Sequence, residues 1–237
     1  MTLDKPIIFS APMVQALLDG EKTQTRRFVT WPVKSDSDGS KRRVFKESET
    51  PEINRLLACK GKHPNQCIKT PYGGTGDRIW VRETWRYVNW TEDGEPQIEY
   101  RADNTSRWIP DTDYSIEWGE KLADIWASLS SRENYKIDGR AADRKWRSPL
   151  FMPRWASRIT LEITDIRIGN LCDISESDAW REGIHELAGE FEHFDGDPDQ
   201  GRKVFRSLWE SIHGKGSWHE NPLVWVVGFG QVLANNP

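Results

Sequence analysis

The chain has little of what would tie it into a small extracellular scaffold. It carries 3 cysteines in 237 residues, an odd number that implies no disulfide framework. No run of about 18 apolar residues occurs, so no membrane span is expected. Met1 to Phe9 lacks the apolar centre of a secretory leader, which places the expected location in the cytoplasm. Charge of one sign is not in excess either: 33 basic against 37 acidic residues leave a net charge of -4. With an isoelectric point near 5.8, this balance argues against a generic duplex binder, and any nucleic-acid contact must come from a local patch. No Gly-x-Gly-x-x-Gly and no phosphate-binding loop occurs, so no organic cofactor is expected.

Apolar content is also low, at 36% with a mean hydropathy of -0.74, which fits a compact core with long polar loops. Against this stand 13 tryptophans. Their faces can fill a core or stack on bases. Cys59, His63 and Cys67 offer three soft ligands, but a fourth is missing and Pro64 breaks helical spacing. The segment is expected to be a loop with two free thiols rather than a zinc site, so no metal is expected.

The densest chemistry lies in Gly20-Glu21-Lys22-Thr23-Gln24-Thr25-Arg26-Arg27. If Thr23 to Phe28 is extended, Thr23, Thr25 and Arg27 share one face and Arg26 points the other way. Arg26 is then expected to pair with an acidic side chain or to ride on the surface. Lys22 stands at the turn entering the strand. Neighbouring guanidiniums and burial both favour loss of its proton, and a neutral lysine beside a hydroxyl is a base beside a nucleophile. The same residues also suit a solvated turn.

Pro6 to Ser10 is expected to be a strand. Ser10 then caps a helix whose apolar face is Met13, Val14, Leu17 and Leu18, ended by Gly20. Residues 33 to 75 form an irregular insertion holding Lys41-Arg42-Arg43, a solvated basic run, with a short helix near Ile53 to Ala58. Arg78 to Tyr87 is expected as one strand, with Trp85 in the core and Gln97 to Arg101 as its hairpin partner across Glu92-Asp93-Gly94. A second insertion, 104 to 150, has partly helical spacing from Tyr114 to Leu129 and a basic end at Arg144, Lys145, Trp146 and Arg147. Ile159, Leu161 and Ile163 alternate with polar residues. The phase then slips to Ile166 and Ile168, which predicts a bulge near Thr164-Asp165. Ser175 to Asp178 is a helix start of the capping-box type, and Gly183 is its stop. Phe205, Leu208, Trp209 and Ile212 mark a further helix, and Leu223 to Phe229 a central closing strand. The expected class is α+β: one domain over 1-237, a small β-barrel with flanking helices and two long insertions.

Four of these places together resemble the ASCH domain, a branch of the PUA-like superfamily. They are Leu17 to Arg27 as a helix-Gly-x-Lys-x-x-Thr-x-Arg element, Gly76-Asp77-Arg78-Ile79-Trp80-Val81-Arg82-Glu83, Ile159 to Ile168, and Ser175 to Gly183. The longer form, with Trp-Val-Arg-Glu-Thr-Trp, Met-Pro-Arg-Trp-Ala-Ser-Arg and a late Gly-Lys-Gly-Ser-Trp, is similar to ASCH-like proteins of phages and prophages.

The resemblance implies a cleft that takes a nucleoside or single-stranded nucleic acid. Small bacterial members are acetylcytidine amidohydrolases that use a lysine, a threonine and a glutamate. Lys22 and Thr25 match the first two, and Glu182 matches the third, with Glu176 and Glu83 as substitutes. In such a scheme Lys22 acts as base on Thr25 or on a water, Glu182 orients it or returns the proton to the leaving amine, and Arg27 or a backbone amide near Gly20 holds the oxyanion. The Lys22-Glu182 pair equally suits a structural salt bridge. Arg154, Trp155 and Arg158 offer a phosphate-and-stacking surface, although Trp155 also suits a loop anchor. Of Arg82 and Glu83, on opposite strand faces, one is expected to face the cleft. Three readings stand side by side: an amidohydrolase acting on an acylated nucleoside, a noncatalytic reader of RNA or a modified base, and a ribonuclease.

Overall fold

The computed structural model describes residues 4-29, 70-91, 95-111, 115-130, 145-189 and 196-232. Most of the first insertion lies outside them, with its short helix, its basic run, and Cys59, His63 and Cys67. So do the Glu92-Asp93-Gly94 turn and Arg144.

In chain order the elements are β1 (Asp4–Ile8), α1 (Ala11–Leu18), β2 (Gln24–Phe28), β3 (Arg78–Arg82), β4 (Trp85–Trp90), β5 (Pro96–Tyr100) and β6 (Ser106–Trp108). Then follow α2 (Ile116–Ser130), β7 (Thr160–Asn170), α3 (Glu176–Arg181), α4 (His185–Gly189), α5 (Gln200–His213) and β8 (Leu223–Val232). Five strands form one sheet in the order β1-β3-β7-β8-β2, and β4-β5-β6 form a second. The α+β class holds. Among the described residues the strands do not close into a barrel. Among the described residues no helix is long and apolar enough to cross a membrane.

The expected single strand from Arg78 to Tyr87 is two strands in different sheets, broken at Glu83 and Thr84. At that break Glu83 is buried at 1% exposure and accepts from the Nε and Nη2 of Arg158, at 2.9 and 3.0 Å. The first strand starts two residues earlier than expected. In β7, Leu161 and Ile163 are buried, Thr164 and Asp165 are both exposed, and Ile168 is buried again, so the phase slips where the apolar pattern does.

The chain divides into two compact units. One comprises Met1–Lys5, Ala16–Ile79 and Leu161–Val232. Its core joins Val224 and Val226 of β8 to Ala179 of α3, Phe205 and Trp209 of α5, and Ile184 and Trp218. Helix α3 starts because the Ser175 hydroxyl accepts from the Asp178 amide. The first amides of α5 donate to the Glu176 carboxylate, which also accepts from the Trp180 indole. A helix N-terminus favours an anion, and Glu176 supplies it. Ile212 does not complete the buried stripe of α5 and is 63% exposed.

The other unit comprises Pro6–Gln15, Trp80–Thr160 and Leu233–Pro237. Its core is aromatic: Trp85, Tyr87, Trp90, Tyr100 and Trp155 with Ile98, Ile109, Leu122 and Met152. Antiparallel pairing sets Trp85 opposite Tyr100 and Tyr87 opposite Ile98. The register shifts between Tyr87 and Asn89, which returns Trp90 instead of Asn89 to the buried face. Trp155 packs edge-on against Trp85 and Trp118, with ring centres 6.1 and 5.7 Å apart. It is therefore a core anchor, the second of the two places that the sequence left open for it, and not part of a stacking surface. Replacing it should remove packing that neighbours cannot refill. Trp155→Ala is expected to lower stability by about 3–5 kcal/mol in urea unfolding; a loss under about 1 kcal/mol would contradict this placement.

Candidate functional site

The site forms where the loop after α1 meets the end of α3. Gly20 ends α1 with a positive φ of 77°, and the Lys22 amide donates back to the Ala16 carbonyl. The Thr23 amide then donates to the Arg181 carbonyl at 3.0 Å. The loop is thus fixed to the last turn of α3, and β2 follows directly. Gly183 stands at the same junction with φ 77°. A Cβ there would lie 2.7 Å from the Lys22 Cβ and 2.8 Å from the Ala16 Cβ. Glycine is required twice over, for the backbone angle and for the space.

Lys22 and Glu182 are brought together. The Lys22 Nζ donates to the Glu182 backbone carbonyl at 2.6 Å and to its carboxylate Oε2 at 3.3 Å. Both residues are almost fully buried. Burial holds the Lys22 ammonium below its ordinary proton affinity; Glu182 opposes the shift, and the charges of Arg27 and Arg26 add to it. A neutral lysine has two N–H donors and one lone pair. The Glu182 carbonyl and Oε2 supply acceptors to that nitrogen.

Arg26 completes the cluster, and its partner is Glu182 itself. Its Nη1 donates to Glu182 Oε1 at 2.8 Å and to Gln24 Oε1 at 2.7 Å, and its Nη2 reaches Asp178 at 3.3 Å. Strand alternation explains the pairing: Gln24 and Arg26 share the face of β2 turned to the helices, where Arg26 also lies 6.0 Å from the Phe205 ring centre. The Arg26 Nε, buried and without a partner among the described residues, carries a penalty of about 1–3 kcal/mol. The three bonds at the other end of the guanidinium offset it.

Thr25 and Arg27 lie on the other face of β2. Thr25 is buried opposite Val227 of β8, and Arg27 is half-buried opposite Trp225. The positive charge of Arg27 reaches three groups. It adds to the lowering of Lys22, partly offsets the rise that burial gives Tyr72, and reinforces the lowering that burial gives His213. The His213 ring stands 4.7 Å from that of Phe28 and 4.2 Å from that of Trp209. Tyr72 and His213 were not legible in the sequence: no spacing links them to residue 27.

The substitutes for Glu182 have other work. Glu176 holds the start of α5. Glu83 holds Arg158, which also donates to Asp103 at 2.7 Å and covers the Tyr100 ring. Burial lowers the proton affinity of Arg158, but its bonds to Glu83 and Asp103 prevail and raise it. Arg158 is thus an internal tie rather than part of an open phosphate surface. Arg82 and Arg154 both lie over Trp80, at 4.7 and 5.7 Å from the ring. Beside them Leu150 and Phe151 are 62% and 75% exposed, and Arg82 donates to the Leu150 carbonyl. Among the described residues no group of His, Cys, Asp and Glu is placed to hold a metal ion.

Comparison with protein-family models finds no match, and neither do comparisons with curated proteins and with solved structures.

Gly183→Ala should push Lys22 away from Glu182. The expected loss is about 1–3 kcal/mol of folding stability, measured by thermal or chemical unfolding. Unchanged stability would mean that the junction is looser than described.

Proposed function

We propose that the chain is an ASCH-type protein of the PUA-like class that takes a nucleoside or single-stranded RNA, and that it hydrolyses the amide of an acylated nucleoside of the acetylcytidine type. The observation that carries this reading is the buried Lys22 amine seated on the backbone carbonyl and the Oε2 of Glu182, with burial favouring its neutral form. A base poised in this way removes a proton from the attacking oxygen as that oxygen adds to the acyl carbon. The attacking oxygen belongs to a water or to Thr25. Arg27 supplies positive charge for the oxyanion that forms. Collapse of the tetrahedral intermediate breaks the C–N bond, and protonated Lys22 returns the proton to the leaving amine. When water attacks, a carboxylic acid and a free amine are released directly; when Thr25 attacks, the amine leaves and the acyl group stays as an ester on Thr25, which a water deprotonated by Lys22 then cleaves to the carboxylic acid, restoring the hydroxyl. Glu182 stabilises the lysinium between the two steps, in a dry site where such interactions are strong.

The test is hydrolysis of acetylcytidine by the purified protein. Turnover is expected, and Lys22→Ala should reduce it by about 100-fold or more. Full turnover by that variant would sink the scheme. Thr25→Val separates the two nucleophiles: retained turnover assigns the attack to water.

A second reading, a noncatalytic reader of single-stranded RNA, is favoured by a different observation. Phe151 and Leu150 are exposed beside two arginines held over Trp80. An open phenyl ring with adjacent guanidiniums suits base stacking and phosphate contact. Phe151→Ala combined with Arg82→Ala should weaken binding of a short single-stranded RNA by roughly tenfold in a fluorescence titration, with acetylcytidine hydrolysis retained. Unchanged RNA affinity would remove this surface from consideration.

A further inference from the structure

Gln24 opens β2 on the face turned to α3 and is 4% exposed. Arg26 fixes the orientation of its carboxamide. A guanidinium carries donors only, so the end that meets Arg26 Nη1 at 2.7 Å is the oxygen. The nitrogen is therefore turned away from Arg26, and among the described residues it donates to no acceptor. A buried amide N–H without a partner is costly. Held rigidly in a polar cluster, it is a donor prepared for a ligand.

The ground beside that nitrogen is bare. Gly228 of β8 pairs with Gln24, so no side chain rises next to the amide from the neighbouring strand. The nearest atoms to a Cβ built at Gly228 would be Thr164 Oγ1 at 3.4 Å and Asp165 Cβ at 3.5 Å, both on β7. A chain of hydrogen bonds begins beside Gly228, at Gln24, and ends beside it, at Asp165. It runs from Gln24 to Arg26, then to Asp178 of α3 at 3.3 Å, to Arg167 at 3.1 Å and to Asp165 at 3.0 Å. The Arg167 and Asp165 side chains are 43% and 58% exposed. The recess thus reaches solvent on the β7 side, and Gln24 stands at its buried end. Arg26 also joins Gln24 to Glu182, at 2.7 and 2.8 Å, so the donor belongs to the same cluster as Lys22.

We propose that Gln24 is a specificity-determining residue of this site: its carboxamide N–H donates to a carbonyl oxygen of a bound nucleoside seated over Gly228. This rests on the reading of the chain as a nucleoside-binding protein. A carbonyl oxygen suits the recess better than a phosphate does. The donor is neutral, the Arg26 charge is taken up by Glu182 and Asp178, and the Asp165 carboxylate at the rim repels an anion. An acetylcytidine-type ligand carries two such oxygens, one on the acyl group and one on the pyrimidine ring.

The test uses the full chain with nitrogen-labelled glutamine side chains. The Gln24 amide signals are assigned by their contacts within β2 and followed by NMR as cytidine is added, and separately acetylcytidine, read before it is consumed. They are expected to shift and to saturate with ligand. A response to both ligands assigns the pyrimidine oxygen, and a response to acetylcytidine alone assigns the acyl oxygen. Two variants accompany the titration. Gln24→Glu keeps an oxygen for Arg26 and removes the N–H donor, whereas Gln24→Met removes both. Each should weaken nucleoside affinity by about tenfold. Wild-type affinity in Gln24→Glu overturns the proposal, since Gln24 would then serve only to hold Arg26. Amide signals that stay put at saturating ligand overturn it too, whether or not the variants fold. Binding without hydrolysis keeps the role of Gln24 and rejects the amidohydrolase, whereas hydrolysis with unmoved signals does the reverse. A wild type that binds neither ligand removes the nucleoside reading and this role with it.

Discussion

One carboxylate, that of Glu182, anchors the first unit's chemistry and much of its geometry. Buried charge is tolerated when it is paired and hydrogen-bonded, and Glu182 has both oxygens and its carbonyl engaged by Lys22 and Arg26. Those bonds fix the last turn of α3 against the start of β2. They account for the absent side chain at Gly183, whose space Lys22 fills. They also settle which face of β2 turns to the helices, since Arg26 must reach Glu182 and Arg27 must then point away. Removing any one member would leave a buried charge short of a partner, so the cluster behaves as a unit.

Two ionic clusters among the described residues make an instructive pair. Around Arg158, one fixed cation serves two carboxylates, Glu83 and Asp103. Around Glu182, one carboxylate serves two cations. In the first, the group able to change its charge is an acid. Burial pushes the Glu83 carboxyl up and Arg158 opposes it. In the second, the adjustable group is an amine. The first arrangement is a tie that closes the corner between β3 and β4. The second holds an amine whose proton affinity burial lowers.

Much of the local structure could be read from the residues. Ser175 announced its helix because a side-chain acceptor is needed there, and alternation separated Arg26 from Arg27 because a strand leaves no choice. Glu182 could be named beside Lys22 through resemblance alone, and its geometry could not. What escaped were facts of tertiary placement. A tryptophan between two arginines can stack on a ligand or fill a core; Trp155 fills a core because Trp85 and Trp118 come to meet it. Ile212 has helical spacing but nothing covers that end of its stripe. Arg26 was expected to find an acid, and no local rule said that the acid would be Glu182. Phe151 had no signal, since an exposed aromatic residue is spelled like a buried one.

Lys22 and Glu182 lie 160 positions apart in the chain. A contact of that span closes a long loop and forms late, after local helices and hairpins have paid the entropy of bringing its ends together. During synthesis the lysine is made well before α3 and remains a hydrated cation until that helix has been made. Its altered acidity is thus a property of the finished fold that no N-terminal fragment can have. The lowered proton affinity of Lys22 accordingly belongs to the folded unit, where burial sets it.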